Sequence, residues 1–208
     1  MRAQLRRLRV RMGALDAARP AVANMQGVIP SLMRVYVVRH GKAEKTSPTG
    51  RDPDRPLRPR GIRQCGWLSE QLLAMKKRPS VILASPYVRA LDTARILHRG
   101  LRCALRVEEA LAADRDTVDA LALLRTLALP ASGRAAEKPP EALAIVGHNP
   151  ILSELITMVI KDPAEWAQPL RTGECAIVDL PALSPDDTMR ACGKLVNRLR
   201  MKQTDEEE

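Results

Sequence analysis

The sequence predicts an α/β sandwich with a largely parallel central sheet, and three observations predict it. Residues 35–38, 81–84 and 143–146 are short apolar runs without polar alternation, as expected of strands covered on both faces. Segments with helical spacing of apolar residues lie between them. Alternation of strand and helix is the pattern that puts helices on the faces of a parallel sheet. Ligands of such sheets bind beyond the carboxyl ends of the strands, so the residues directly after each run are where chemistry is expected.

The domain starts at Met33 and its first strand covers 35–38. Residues 46–58, rich in Pro, Asp, Arg and Thr, read as a loop. A helix follows from Pro59 to about Met75, with Ile62, Cys65, Leu68 and Leu72 as its apolar stripe. After the strand at 81–84, Ser85-Pro86 reads as an N-cap and first-turn proline opening a helix through about His98. Residues 104–107 are a third strand, 117–127 a helix and 130–140 a Pro/Gly/Ala linker. After the strand at 143–146, Asn149-Pro150 repeats the cap-and-proline entry for a helix to about Ile160. Residues 175–179 form a later strand.

At 208 residues the chain fits one domain with extensions. With no Phe and 2% aromatics, the core is Leu, Val, Ile and Ala. Cys65, Cys103, Cys175 and Cys192 form no Cys-x-x-Cys pair, which argues against zinc and for reduced thiols in a cytoplasmic protein. No apolar run reaches the roughly 18 residues of a membrane span. The charge of +10 is uneven. Residues 1–32 hold six arginines against Asp16 alone, a net of +5. This arm is Arg-rich like an organelle presequence but nearly lacks serine. The expectation is a disordered extension, or a start site assigned upstream of Met33. The boundaries expected are therefore an arm at 1–32, a domain at 33–200 and an acidic tail at 201–208. The missing aromatic interleaving argues against nucleic acid as the partner of the basic charge. A phosphorylated substrate is enough to account for it.

Arg39-His40-Gly41-Lys42 follows the first strand, Ser85-Pro86-x-x-Arg89-Ala90 the second, and Gly147-His148-Asn149-Pro150 the strand at 143–146. Two of only three histidines thus end strands. Guanidinium binds two phosphate oxygens with its planar donors and stays charged. A neutral imidazole can act as a nucleophile toward phosphorus. The two arginines flanking His40 would disfavour its imidazolium by repulsion. Gly41, lacking Cβ, would let the backbone approach a ligand closely. His98 lies late in its helix, where it meets the helix C-terminus, and is given no catalytic role.

These three ordered motifs, with Arg55-Pro56-Leu57-x-x-x-Gly61, resemble the histidine phosphatase, or phosphoglycerate mutase-like, superfamily. The likeness is strongest to its SixA-type phosphohistidine phosphatases, from residue 33 to about 199. The resemblance implies a three-layer αβα sandwich and a phosphoryl intermediate on His40. It implies Arg39, Arg89 and His148 as the groups that bind and stabilise the phosphoryl group, with no cofactor and no metal. Gly41 and Lys42 would join them in binding substrate, and Arg55 and Thr172-Gly173 would line the pocket. Esterases of this superfamily use a carboxylic acid after the arginine motif. Here that region holds Glu108, Glu109, Asp114 and Asp116, all expected to be solvated, with Asp114 the best placed to be a proton donor. SixA-type proteins generally lack the acid. The expected substrate is a phosphohistidine protein. The alternatives are a phosphatase for small phosphate esters and a catalytically weak phospho-binding module.

Overall fold

Strand β1 (Met33–Arg39) shows how the layers arise. Val35 and Val37 enter one hydrophobic core, Tyr36 and Val38 the other. The two-residue period of a strand sends alternate side chains to opposite faces, so a run apolar at every position is covered on both. The first core also takes Leu121 and Leu124 of α3 (Thr117–Ala128) and Leu152, Leu155 and Ile156 of α4 (Ile151–Val159). The second takes Leu68 and Leu72 of α1 (Pro59–Leu73) and Ala90, Ala94 and Leu97 of α2 (Val88–Leu101). Each fully buried Leu or Ile contributes about 1.5–3 kcal/mol of transfer free energy. The result is the three-layer αβα sandwich.

This is a computed structural model, and it describes residues 32–129, 139–181, 183 and 186–202. The arm expected at 1–32 lies outside these residues except for Leu32, and the acidic tail except for Met201 and Lys202. Most of the linker at 130–140 lies outside them too. Among the described residues no helix is long and apolar enough to cross a membrane.

The remaining strands are β2 (Val81–Ala84), β3 (Ala104–Val107), β4 (Ala142–Gly147), β5 (Cys175–Leu180) and β6 (Lys194–Leu199). Their order across the sheet is β3-β2-β4-β1-β5-β6. The first four are mutually parallel. β5 runs antiparallel to both β1 and β6. The start of β5 therefore lies at the same edge as the end of β1, where Cys175 pairs with Val38. At the far end of this pair Arg34 Nε and Nη2 clasp the Asp179 carboxylate at 2.7 and 2.8 Å.

Four readings of the sequence change. One is that α4 begins at Ile151 with Pro150 at the N-cap position, so Asn149 does not cap it. β6 has no counterpart in the prediction, because it is an edge strand whose Leu195, Val196 and Leu199 are mixed with Lys194, Asn197 and Arg198 in neither a continuous apolar run nor a strict alternation. Ile62 is 52% exposed, and Gly61 takes its place on the buried face of α1 with Cys65, Leu68 and Leu72. The helix after β2 begins at Val88 with Tyr87 at the N-cap position, so Ser85 does not cap it.

Candidate active site

Parallel register brings the three motifs to one edge. Arg39 pairs with Gly147, and Ala84 with Val146. One step further, the His40 N–H donates to the Gly147 carbonyl at 3.1 Å and the Ser85 N–H to the Val146 carbonyl at 2.9 Å. The Gly173 N–H, just before β5, donates to the His40 carbonyl at 2.9 Å. Arg89 is supplied by the first turn of α2 and is buried.

Each histidine has one ring nitrogen committed. His40 Nδ1 lies 2.8 Å from the Gly41 carbonyl, which can only accept, so this nitrogen carries the proton. Nε2 is left with its lone pair. Burial pushes the His40 pKa down to about 4. The Gly41 contact works against this, and the charges of Arg89, Arg39 and Arg55 add to it. Repulsion by the arginines, the cause expected from the sequence, is thus real but secondary to burial.

The His148 ring centre lies 5.1 Å from that of His40, and the Tyr87 ring meets His148 edge-on at 5.2 Å. Its Nε2 is 2.8 Å from Ser85 Oγ. That oxygen also accepts from the Tyr87 N–H at 3.2 Å. These contacts admit two tautomers, and in the one that can serve an anion the Ser85 hydroxyl donates to Nε2 and Nδ1 carries the ring proton. His148 Nδ1 is then a buried donor without a partner. Burial, followed by the nearby His40 and Arg89, holds the His148 pKa down to about 2, so both rings are neutral near pH 7.

Arg39 Nη1 donates to the Leu170 carbonyl at 2.8 Å, while its buried Nε has no partner. Burial and the charge of Arg89 both press against the Arg39 cation. Two orphaned donors beside two close cations fit an oxyanion: an unmet buried donor costs about 1–3 kcal/mol, which an arriving acceptor relieves. Arg89 is held by Asp52, whose carbonyl accepts from Nη1 at 2.8 Å and whose Oδ2 accepts from Nη2 at 3.0 Å. Asp52 Oδ1 accepts from Arg55 Nη1 at 2.6 Å.

The cleft so formed encloses about 330 Å³. Of the expected residues, Arg39, His40, Lys42, Arg55, Arg89, His148 and Thr172 line it. Gly41 is not part of this lining. A Cβ there would lie 2.7 Å from the Gly61 carbonyl oxygen and 2.8 Å from Cys65 Sγ. The missing side chain admits α1. Asp114 is exposed and outside the lining, and its interaction is with the Tyr87 hydroxyl. Lys45, Arg58 and Asn149 line the cleft without having been singled out, although Asn149 belongs to a quoted motif. The Asn149 amide donates to the Leu170 carbonyl, the same acceptor that takes Arg39. A larger concavity of about 450 Å³ beside Trp166 and Met158 is lined by neither histidine nor arginine. Among the described residues, no group of three or more His, Cys, Asp or Glu could hold a metal ion.

The model of the histidine phosphatase superfamily (branch 1) matches residues 35–113. No curated protein sequence matches the chain. Among solved structures, the protein histidine phosphatase SixA, determined with tungstate, superposes with a TM-score of 0.65 at 21% identity, over 81% of this chain and 97% of that one. A protein assigned as SixA in Agrobacterium tumefaciens gives 0.63 at 21% identity, over 81% and 98%. A mycobacterial glucosyl-3-phosphoglycerate phosphatase gives 0.58 at 17%, over 79% and 97%. The family match spans Arg39, His40 and Arg89, and the likeness of fold to these solved structures extends well beyond it.

Proposed function

We propose that this protein is a phosphohistidine phosphatase that works through a phosphoryl group carried on His40 Nε2. The observation that carries the reading is the hydrogen bond from His40 Nδ1 to the Gly41 carbonyl, which leaves Nε2 unprotonated in a cationic cleft. In the first step Nε2 attacks phosphorus and the substrate's P–N bond breaks. If the substrate ring carries a proton on its other nitrogen, it leaves as neutral imidazole and needs no acid. Water then attacks phospho-His40, keeps both its protons as dihydrogen phosphate, and returns His40 to its starting tautomer. Arg39, Arg89 and the His148 Nδ1–H would hold the equatorial oxygens throughout, so catalysis is positioning plus fixed positive charge.

The preference for phosphohistidine over alkyl esters is supported by the lining: among the described residues, no carboxylate lines the cleft. An alkoxide leaving group would need a donor worth about 10²–10⁴-fold. One observation favours small phosphate esters instead. Asp114 follows Ala113, a lining residue, and sits by the Tyr87 hydroxyl at the rim. The deciding experiment compares a phosphohistidine protein with a panel of alkyl phosphates, with and without EDTA, in the wild type and in Asp114→Asn. Cleavage of phosphohistidine far faster than of any alkyl ester, insensitive to EDTA and changed less than about threefold by the substitution, well below the general-acid range, is the expected result. Strong alkyl esterase activity lost in Asp114→Asn would transfer the assignment to the ester reading.

A further inference from the structure

The cleft holds more positive charge than one phosphoryl group can use. Six cationic side chains line it: Arg39, Lys42, Lys45, Arg55, Arg58 and Arg89. Two carboxylates offset them, Asp52 on Arg89 and Arg55, and Glu44 on Arg58 at 2.9 Å. Both histidines are neutral near pH 7, so a phosphoryl dianion still leaves two positive charges. Lys42 and Lys45 are the natural bearers of this excess, because they make no ion pair among the described residues.

The charges are arranged by depth. His40, His148 and Arg89 are buried at the floor, while Lys42 and Lys45 are exposed at the mouth. The loop carrying the lysines is braced. Ala43 bridges Leu57, the Glu44 N–H donates to the Pro56 carbonyl at 2.9 Å, and the Arg58 N–H donates to the Lys42 carbonyl at 2.8 Å. Arg55 Nε ties back to the Glu44 carbonyl at 2.6 Å. The lysines therefore project from a fixed frame at the open side of the cleft.

We infer that the substrate carries a second oxyanion, a carboxylate or phosphate on its leaving-group side, and that Lys42 and Lys45 bind it. This rests on the phosphatase reading above. A flanking acidic side chain of a phosphorylated protein and an acidic group of a small phosphorylated molecule present the same chemistry to these ammonium groups, which act as point charges.

Two substrate pairs separate these sources: phosphohistidine peptides with Glu or Gln neighbours, and 3-carboxyphenyl phosphate with its carboxamide. The acidic member of at least one pair should have the higher kcat/KM by about tenfold, diminishing with salt, and the ratio should fall toward unity in Lys42→Gln/Lys45→Gln. Equal rates within both pairs of the wild type, or a preference that survives the double substitution, overturns the inference and leaves the phosphatase reading intact. Calorimetry needs no turnover. Pyrophosphate should bind the wild type more tightly than phosphate by about tenfold, with that advantage lost in the double variant. If no substrate is hydrolysed the phosphatase reading fails, and calorimetry alone then decides the oxyanion site, equal affinities overturning it.

Discussion

Asp52 grips Arg89 twice, through its carbonyl 2.8 Å from Nη1 and its carboxylate 3.0 Å from Nη2. One edge of the guanidinium is thus occupied by protein, and the hydrogens left over set the direction in which an oxyanion can be met. The carboxylate is kept ionised chiefly by its hydrogen bond from Arg55, with Arg89 adding to the effect against the cost of burial.

Replacing the clamp and its holder should therefore have unequal effects. Arg89→Ala should lower the rate by about 10²-fold or more, and Arg89→Lys should recover only part, lacking the planar fork. Asp52→Ala should lower kcat/KM by about tenfold, because the charge remains and only its orientation is disturbed. Steady-state kinetics checks the order, and a fully active Arg89→Lys would contradict a two-pronged clamp.

His40→Ala should abolish turnover and the phosphoenzyme. In the wild type, rapid quenching should trap an acid-labile, base-stable phosphoryl group. Wild-type-like activity in the variant would end the proposed mechanism.

The neutral state of His40 predicts the acid limb of the pH profile. With its pKa held at about 4, the nucleophile should stay competent well below pH 6.5. The same shift acts on stability. The unfolded chain binds this proton near 6.5 and the folded one only near 4, so stability is full above 6.5 and is lost as pH falls through that window. Urea midpoints at pH 7, 5.5 and 4 should fall, less steeply in His40→Gln.

Ser85 should matter without touching the phosphoryl group. Ser85→Ala removes the hydroxyl that fixes the His148 tautomer at 2.8 Å. We expect kcat to drop about tenfold with little change in KM, and partial recovery in Ser85→Thr. That is the pattern of a group that acts in the transition state and has been turned out of alignment. A fall confined to KM, or no recovery with Thr, would count against this role.

Gly61→Ala tests the packing of α1 on the motif loop. Its Cβ would lie 2.1 Å from the Lys42 carbonyl oxygen. Alanine's better helix propensity cannot offset a backbone clash. Denaturation should show a loss of about 1–3 kcal/mol, the usual cost of overpacking.

Residues 35–38, 81–84 and 143–146 were legible as strands, and 117–127 as a helix, because periodicity depends only on near neighbours. That the motifs end strands was legible for the same reason, and a parallel sheet then gathers strand ends at one edge. What lay beyond the sequence was every interaction that depends on register between distant segments. Asp52 reaches Arg89 across 37 residues, Ser85 reaches His148 across 63, and Arg39 meets Leu170 across 131. None of these partners carries a local signal: Asp52 is one acidic residue in a charged loop, and Ser85 before proline has the pattern of a cap. Gly41 was legible as a residue that must lack a side chain. Only the tertiary structure showed that α1 comes within 2.7 Å of where its Cβ would stand, so that helix packing requires the glycine.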